Sequence, residues 1–130
     1  MIITQKGWPT FMRSNQDDFK RGTAEFLILY LLQKEEMYGY QITQTMAEKS
    51  GGRYTFLLGS LYLILQRMEE KELVTSRTQL VGKKLTRRYY KITEKGWTHL
   101  QAVLREYDEI CKGVNLILDR EVESDEQGSR

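Results

Sequence analysis

The residues in this sequence whose types and spacing suit chemistry lie on one face of a predicted helix, residues 59–73. Apolar residues at helical spacing predict the opposite, buried face; they are Leu61, Ile64, Leu65 and Met68. The outer face carries Gly59, Ser60, Tyr62, Leu63, Gln66 and Arg67. Tyr, Gln and Arg can donate hydrogen bonds to phosphates or base edges, and a small N-terminus lets a helix end approach an anion closely. An ordinary amphipathic surface helix is the alternative, which this helix alone does not exclude.

The segment after this helix predicts a basic β-hairpin. Residues 74–81 are rich in β-branched side chains, residues 82–84 form a turn, and residues 87–92 resemble a returning strand. Between Glu72 and Glu94 there are six basic residues and no acid: Arg77, Lys83, Lys84, Arg87, Arg88 and Lys91. Such charges are usually solvated, but six bases without an acid favour phosphate binding. A helix followed by a basic hairpin is the order of a winged helix, whose helix enters the major groove of double-stranded DNA while the hairpin lies along the backbone.

Length and composition predict one domain with an appended element. The chain has 130 residues, 40% hydrophobic residues and a formal net charge of only +2, so any nucleic-acid signal must come from where the charges lie. The single cysteine, Cys111, excludes a disulfide within the chain and predicts a reducing cytoplasm. There is no membrane-length apolar run and no signal-peptide core at the N-terminus, so we expect no membrane partner.

No catalytic, metal or cofactor site is indicated by the sequence. There is no Ser/His/Asp set, Gly-rich phosphate loop or cluster of metal ligands. His99, the only histidine, lies off the apolar stripe of its segment and is predicted at the surface, and Cys111 lacks a partner for metal ligation. We therefore predict that the protein is not an enzyme and binds no metal or cofactor.

The segments before residue 59 predict an arm and two helices. Residues 1–18 are the arm, helical after Ser14, and its Lys6 and Arg13 are alternative phosphate contacts. The next helix spans residues 23–34, is apolar nearly all round, and is therefore predicted to be buried.

Thr23 is the predicted N-cap of that buried helix. A second helix, residues 40–49, ends at Ser50 and the two glycines that follow it, Gly51 and Gly52. Residues 53–56 form a link. The predicted order is therefore helix, helix, link, helix, hairpin, which describes a helix-turn-helix with a wing.

A long final helix is predicted from Thr93, its N-cap, to about Leu118. Its apolar residues follow a 3–4 spacing typical of a coiled-coil seam: Trp97, Leu100, Leu104, Tyr107, Cys111, Val114 and Leu118, widened by Val103, Ile110 and Ile117. Such a helix is about 38 Å long, more than a small winged domain covers, so part of the stripe should contact a second chain. Packing on its own domain is the alternative. Residues 119–130 have five acids and two bases and predict a disordered tail.

Four patches, in order along the chain, resemble the PadR family of bacterial transcriptional regulators. The first is residues 21–29, and the second, residues 38–42, is similar to the family's His-Gly-Tyr-Glu-Ile. The third, residues 59–62 followed by 67–69, is similar to Gly-Thr-Leu-Tyr and Arg-Leu-Glu in the recognition helix. The fourth, residues 88–96, resembles the second wing strand and the start of the final helix. In all, the resemblance extends over about residues 21–118.

The resemblance implies a mainly α fold with a small β-hairpin wing, that is, a winged helix-turn-helix followed by a long C-terminal dimerisation helix. The expected divisions are an N-terminal arm (1–18), a DNA-binding domain (19–93), the dimerisation helix (94–118) and an acidic disordered tail (119–130). The implied function is a sequence-specific, DNA-binding repressor that binds a palindromic operator as a homodimer. A winged-helix module that binds protein and has no specific DNA target is the alternative.

The candidate site residues combine the helix face, the wing and the resemblance. The candidate DNA-binding set is Tyr38, Gly59, Ser60, Tyr62, Leu63, Gln66, Arg67, Lys83, Lys84, Arg87 and Arg88. The candidate dimerisation set is Leu100, Val103, Leu104, Tyr107, Ile110, Cys111, Val114, Ile117 and Leu118. Trp97 and Tyr107 are candidates for a cleft between the two chains that binds a small aromatic or apolar effector.

Two positions depart from the family pattern. Leu63 stands where the family often has proline and places an apolar side chain on the presumed DNA face, where a thymine methyl group could meet it. Glu72 stands where glycine usually caps the recognition helix. Either this cap costs about 1 kcal/mol, or the helix ends differently.

Overall fold

Four helices and three strands make up the computed structural model, which describes residues 10–121, with side chains from residue 20 onward. In chain order they are α1 (Thr10–Leu32), β1 (Met37–Tyr38), α2 (Gly39–Lys49), α3 (Leu58–Glu70), β2 (Val74–Val81), β3 (Leu85–Ile92) and α4 (Glu94–Ile117). The predicted fold, mainly α with a small β-hairpin wing, is confirmed. The expectations for Lys6, for the Arg13 side chain and for residues 122–130 lie outside the described residues.

The first helix is longer than the sequence pattern predicts. It begins at Thr10, before both predicted starts, Ser14 and Thr23, and it continues through the boundary expected after residue 18. Thr23 is therefore not an N-cap; its hydroxyl donates to the Lys20 carbonyl at 3.2 Å inside the helix. The first half of this helix is mostly polar and shows no apolar period, so the pattern did not reveal it.

The core lies where the apolar half of α1 meets α2, α3 and the sheet. Its fully buried large side chains are Ile28, Leu29, Ile42, Leu61, Leu65, Met68, Val74 and Leu100. All four residues of the predicted α3 stripe are buried, so that prediction is confirmed. No polar or charged residue is buried in the described part of the chain. Burial of apolar surface, about 25 cal/mol per Å², therefore dominates the packing of these elements.

The wing is part of a three-stranded antiparallel sheet with β3 in the middle. Met37 of β1 lies opposite Tyr90, and Tyr38 lies opposite Tyr89. The sequence predicted no strand between the helices at residues 23–34 and 40–49, because two residues are too few to show the alternation of a strand. On its other edge β3 pairs with β2 along their full length, through the predicted turn at residues 82–84.

The turn that ends α3 holds Glu72 in the backbone geometry that glycine usually adopts there. Glu72 has a left-handed φ of 64°. Its N–H donates to the Glu69 carbonyl at 3.0 Å, and the Leu73 N–H donates to the Met68 carbonyl at 2.9 Å. This pair of bonds is the Schellman motif that glycine usually completes. The helix therefore ends as a glycine-capped helix does, and Glu72 carries a backbone cost of about 1 kcal/mol.

The start of α4 is joined to the end of α3 by the backbone and the hydroxyl of Thr93. The Thr93 hydroxyl accepts from the Gly96 N–H at 2.9 Å, which confirms Thr93 as the N-cap, and it donates to the Glu72 carbonyl at 2.7 Å. The Thr93 N–H donates to the Leu73 carbonyl at 3.0 Å. A Cβ on Gly96 would lie 2.1 Å from that same carbonyl oxygen. Only glycine permits this approach of the two backbones.

The apolar stripe of α4 divides into two halves. Leu100 is fully buried in the core of its own domain, and Val103 and Leu104 pack against that core. The assignment of Leu100 to an interface between chains is therefore wrong, because its own domain already covers it. The second half carries apolar side chains that this chain leaves exposed: Tyr107, Ile110, Val114, Ile117 and Leu118. Cys111 between them is half-buried.

We predict that Gly96→Ala lowers the free energy of unfolding by about 1–3 kcal/mol or more, because the added methyl overlaps a backbone oxygen that cannot move freely. Gly113→Ala is the matched control in the same helix, since nothing lies within 4 Å of its added Cβ. The control should gain up to about 1 kcal/mol from helix propensity. Urea unfolding followed by circular dichroism measures both; equal stabilities would contradict the prediction.

Candidate nucleic-acid interface

The outer face of α3 is open to solvent. The six predicted positions are all exposed: Gly59, Ser60, Tyr62, Leu63, Gln66 and Arg67. Leu57 precedes the helix without a side-chain cap, and the Leu61 N–H is the first to bond back to it, at 3.0 Å. The N–H groups of residues 58–60 therefore have no acceptor inside the helix. The first turn contains no acid, so this positive helix end can receive an anion.

Tyr62 is positioned by the absence of a side chain at Gly39. A Cβ on Gly39, the buried first residue of α2, would lie 2.7 Å from the Tyr62 hydroxyl oxygen. The tyrosine ring therefore crosses the start of α2 and remains partly exposed on the side of α3 that faces the wing. Gly39 of the second patch and Tyr62 of the third patch thus form one contact.

A polar groove, which we call the helix–wing groove, separates α3 from the sheet. Its lining residues are Tyr62, Gln66, Glu69, Thr78, Thr86, Arg88 and Tyr90. Burial raises the pKa of the Tyr90 phenol above its ordinary value of 10, so its hydroxyl stays neutral and able to donate. The groove is open and lined by donors and acceptors that suit a sugar–phosphate backbone.

One carboxylate controls the charge of the helix–wing groove. Glu69 accepts a hydrogen bond from the Ser76 hydroxyl at 2.7 Å and lies 3.5 Å from the Arg88 guanidinium. The Arg88 Nε also donates to the Ser76 hydroxyl at 3.0 Å. Arg88, a predicted DNA contact, is therefore already paired, and an incoming phosphate must compete with Glu69 for it.

The opposite face of the wing carries a stack of aromatic and cationic groups. The Arg87 guanidinium lies over the Tyr38 ring at 4.2 Å from its centroid, and Tyr38 meets Tyr89 edge-on at 5.5 Å. Arg77 lies over Tyr89 at 4.9 Å and bonds to Glu36 at 2.9 Å. Tyr38 is half-buried in this stack, so it can position Arg87 through a cation–π contact as well as touch DNA itself.

The predicted wing residues are thus divided between two faces and a tip. Because side chains alternate along a strand, Arg87 and Arg88 point to opposite faces. Lys83 and Lys84 occupy the exposed tip and have no acidic partner in the part of the chain that the structure describes. The acids that the hairpin lacks come from elsewhere in the chain, which counting along the sequence missed. Among the predicted wing residues, positive charge is therefore least neutralised at the tip and at Arg87, which stacks on Tyr38.

A second groove, between α1 and α3, adds cations that the sequence did not indicate. Lys20 and Arg21 of α1 line it together with Arg67. The exposed side chains of Leu57 and Leu63 line the same groove. Nothing in the sequence around Lys20 distinguishes it from an ordinary surface lysine, because only the packing of α1 against α3 brings it to this face.

The candidate effector residues lie apart from this interface, on α4. Trp97 and Tyr107 are both about half exposed, and the Tyr107 ring packs against Phe26 at 5.5 Å. A hydrogen bond with the Cys111 thiol raises the pKa of the Tyr107 phenol above 10. In the described residues no group of three or more His, Cys, Asp or Glu could hold a metal ion, and no helix there is long and apolar enough to cross a membrane.

Comparison with known protein families gives one match. The model of the family described as "Transcriptional regulator PadR-like family" matches residues 28–102. The chain belongs to this family. The predicted resemblance is confirmed, and because the family consists of transcriptional regulators, so is the prediction that the protein is not an enzyme.

The fraction of a PadR-like relative's length that this chain matches differs from one relative to another. An uncharacterised protein of Lysinibacillus sphaericus is 28% identical over 104 residues, which are 80% of this chain and 95% of that protein. The "Negative transcriptional regulator PadR" of Bacillus subtilis is 32% identical over 72 residues, which are 55% of this chain but only 40% of that protein. The long regulator therefore contains a large part that this chain does not match.

Solved structures likewise match this chain over nearly their whole length or over only part of it. A PadR family transcriptional regulator from Eggerthella lenta superposes with a TM-score of 0.73 at 27% identity and covers 85% of this chain and 95% of its own. Bacillus subtilis PadR in complex with operator DNA superposes with a TM-score of 0.59 at 30% identity and covers 63% of this chain and 46% of its own.

We predict that Gly59→Ala stabilises the fold and weakens DNA binding. The added methyl points into open space, so helix propensity should raise the free energy of unfolding by up to about 1 kcal/mol, the value for a helix interior. If DNA approaches the helix end closely, the same methyl should cost about 1–3 kcal/mol of binding, as overpacking does elsewhere. Thermal unfolding and fluorescence anisotropy with DNA measure the two effects.

Gly113→Ala serves again as the control, because it adds the same methyl to open space on α4. It should stabilise the fold and leave DNA affinity unchanged. Unchanged DNA affinity in Gly59→Ala would mean that DNA does not approach this end of α3.

Proposed function

We propose that this PadR-like protein is a repressor that binds a palindromic operator in double-stranded DNA as a homodimer, and that a small aromatic or apolar effector releases it. One observation carries the proposal: an exposed α3 face with a free, acid-free N-terminus stands beside a wing whose tip carries lysines without an acidic partner among the described residues. The name of the Bacillus subtilis relative, a negative regulator, and its structure with operator DNA support the same function.

The charges on α3 favour entry into the major groove by its N-terminal end. Residues 58–66 carry no charge, whereas Glu69 and Glu70 lie near the C-terminal end. Phosphates repel these carboxylates and are attracted to the free N–H groups of the first turn. In this orientation Tyr62, Gln66 and Arg67 can meet base edges or the flanking phosphates.

The wing then lies along the backbone through its tip and through Arg87. Lys83 and Lys84 extend beyond the paired strands, and Arg87 is held against Tyr38 by stacking. Each phosphate that a lysine or arginine neutralises releases counterions, so affinity falls as salt rises. This contribution does not depend on sequence, and specificity must come from α3.

Selection of bound sequences from random DNA with the full chain tests the proposal, followed by titrations of the selected duplex at several salt concentrations. We expect a palindrome to be enriched. Lys83→Glu with Lys84→Glu should weaken binding to all sequences alike and flatten the slope of log K against log salt by roughly 1 for each phosphate that the tip no longer neutralises.

Lys95→Glu with Lys112→Glu changes the net charge equally, but on α4, and is the matched control. It should keep the wild-type slope. If no sequence is enriched and no duplex shifts on a gel, the repressor proposal fails and a winged-helix module that binds protein takes its place. If the wing variant keeps the wild-type slope, the tip does not track phosphates.

The exposed half of α4 supports the homodimer. Ile110 is 65% exposed and Ile117 is 82% exposed, and both belong to one apolar stripe with Val114 and Leu118. A contiguous exposed stripe of this kind usually marks an interface. Two copies joined there would present two recognition helices. To read a palindrome, these helices must lie one helical turn of DNA apart, or a whole number of turns apart.

The effector part of the proposal rests on the same helix. Trp97 and Tyr107 are half exposed beside the stripe, so a second α4 helix could complete a cleft around their rings. Aromatic walls favour a flat aromatic or apolar ligand, because such a ligand buries apolar surface against them.

We predict that Ile110→Glu yields a folded monomer, because an unpaired carboxylate in the interface costs several kcal/mol. Leu104 is a poorer choice than Ile110, since it packs on its own core and a charge there would also unfold the domain. Arg105→Glu, at an exposed position facing away from the stripe, is the control and should remain dimeric. Light scattering decides: a dimeric Ile110→Glu would remove this half of α4 from the interface.

A further inference from the structure

Leu63 occupies an unusual place for an apolar side chain. It is 63% exposed and lies near the centre of the outer face of α3. Gly59 lies one helical turn before it and Arg67 one turn after it, in the same row of the helix. Burial does not explain a leucine here, because its own chain leaves most of it in water.

The position of Gly59 leaves Leu63 as the first side chain in its row of the helix. Helical side chains lean towards the N-terminus, so the Leu63 side chain extends over the preceding turn, where Gly59 lies. Gly59 has no side chain, and nothing lies within 4 Å of the place where its Cβ would be. The isobutyl group of Leu63 is therefore exposed at the N-terminal end of α3, which in the proposed complex enters the major groove.

The chemistry of the major groove offers one partner for such a group. Base edges there present hydrogen-bond donors and acceptors, which an isobutyl group cannot satisfy, and the C5-methyl group of thymine, which it can pack against. We propose that Leu63 recognises a thymine methyl group and thereby specifies a T·A pair in each half-site. This inference rests on the proposed function, since it assigns a specificity residue to that same DNA surface.

The surroundings of Leu63 favour DNA over an apolar protein surface. Lys20 and Arg67 line the groove beside it, and the free N–H groups of the first turn of α3 lie on the same end. A partner that covered Leu63 with apolar groups would desolvate these cations without an anion to pair them, at considerable cost. DNA supplies both at once, a methyl group in the groove and phosphates along its edges.

The experiment replaces single thymines of the selected duplex by deoxyuridine, which keeps the hydrogen-bonding groups and removes only the methyl. Anisotropy titrations at one salt concentration give the affinities. At one thymine in each half-site the wild type should bind roughly fourfold more weakly, because a buried methyl-sized group contributes about 0.8 kcal/mol and 1.4 kcal/mol is tenfold. Leu63→Ala should bind the thymine duplex at least about fourfold more weakly and show no further loss with deoxyuridine at that position.

Two controls isolate the methyl contact. Leu57→Ala removes an even more exposed leucine, 80% exposed, from the same groove, but just before α3 begins; it should keep the wild-type loss with deoxyuridine. A C·G pair in place of the sensitive T·A pair should weaken binding, and 5-methylation of that cytosine should recover part of the loss, because it restores a methyl group in the major groove.

The outcomes separate this inference from the proposed function. If selection enriches no sequence, the proposed function fails and this inference falls with it. If a sequence is enriched but the wild type binds every deoxyuridine duplex equally, or Leu63→Ala keeps the loss, only the role of Leu63 is wrong. A change of assembly state in Leu63→Ala without DNA would also overturn it, because the leucine would then serve a contact between proteins.

Discussion

The approach of Gly96 to the Leu73 carbonyl oxygen is the contact on which the arrangement of this molecule depends. Four elements meet there: α3 and β3 end, and β2 and α4 begin. Thr93 ties them together by donating its N–H to Leu73 and its hydroxyl to Glu72, while it caps α4. Because these contacts are made by backbone atoms and by the one hydroxyl of Thr93, they set the direction of α4 relative to the recognition helix.

The sequence predicted elements whose pattern is local and missed those that depend on distant partners. The buried stripe of α3, the cap at Thr93 and the hairpin each follow from neighbouring residues, and all are confirmed. The early start of α1 has no apolar period, and β1 is a strand only because β3 lies beside it. Leu100 was assigned to the interface between chains, because spacing alone cannot show that the core of its own domain already covers it.

The sequence also could not show which cations of the wing are paired with acids from elsewhere in the chain. A run without acids suggested that the whole hairpin is positive, and the register is needed to see that Arg87 and Arg88 face opposite sides. Glu69, seven residues before Ser76 in the chain, reaches into the helix–wing groove and pairs with Arg88. In the proposed complex, a carboxylate there would weaken the attraction to nearby phosphates whatever the base sequence, so it would lower non-specific binding and leave a larger share of the affinity to base contacts.

The two halves of α4 differ in burial, and the buried first half fixes the direction of the exposed second half. Leu100 is buried in the core, so the helix cannot rotate about its axis without opening the domain. The direction in which Ile110 and Ile117 point is therefore set by the same core that holds α3 in place. In a homodimer joined through that exposed stripe, the distance between the two recognition helices would follow from rigid backbone geometry inside each chain. In that proposed dimer, an effector that separated the two α4 helices would also move the two recognition helices, because Leu100 of α4 and Leu61 of α3 belong to one core.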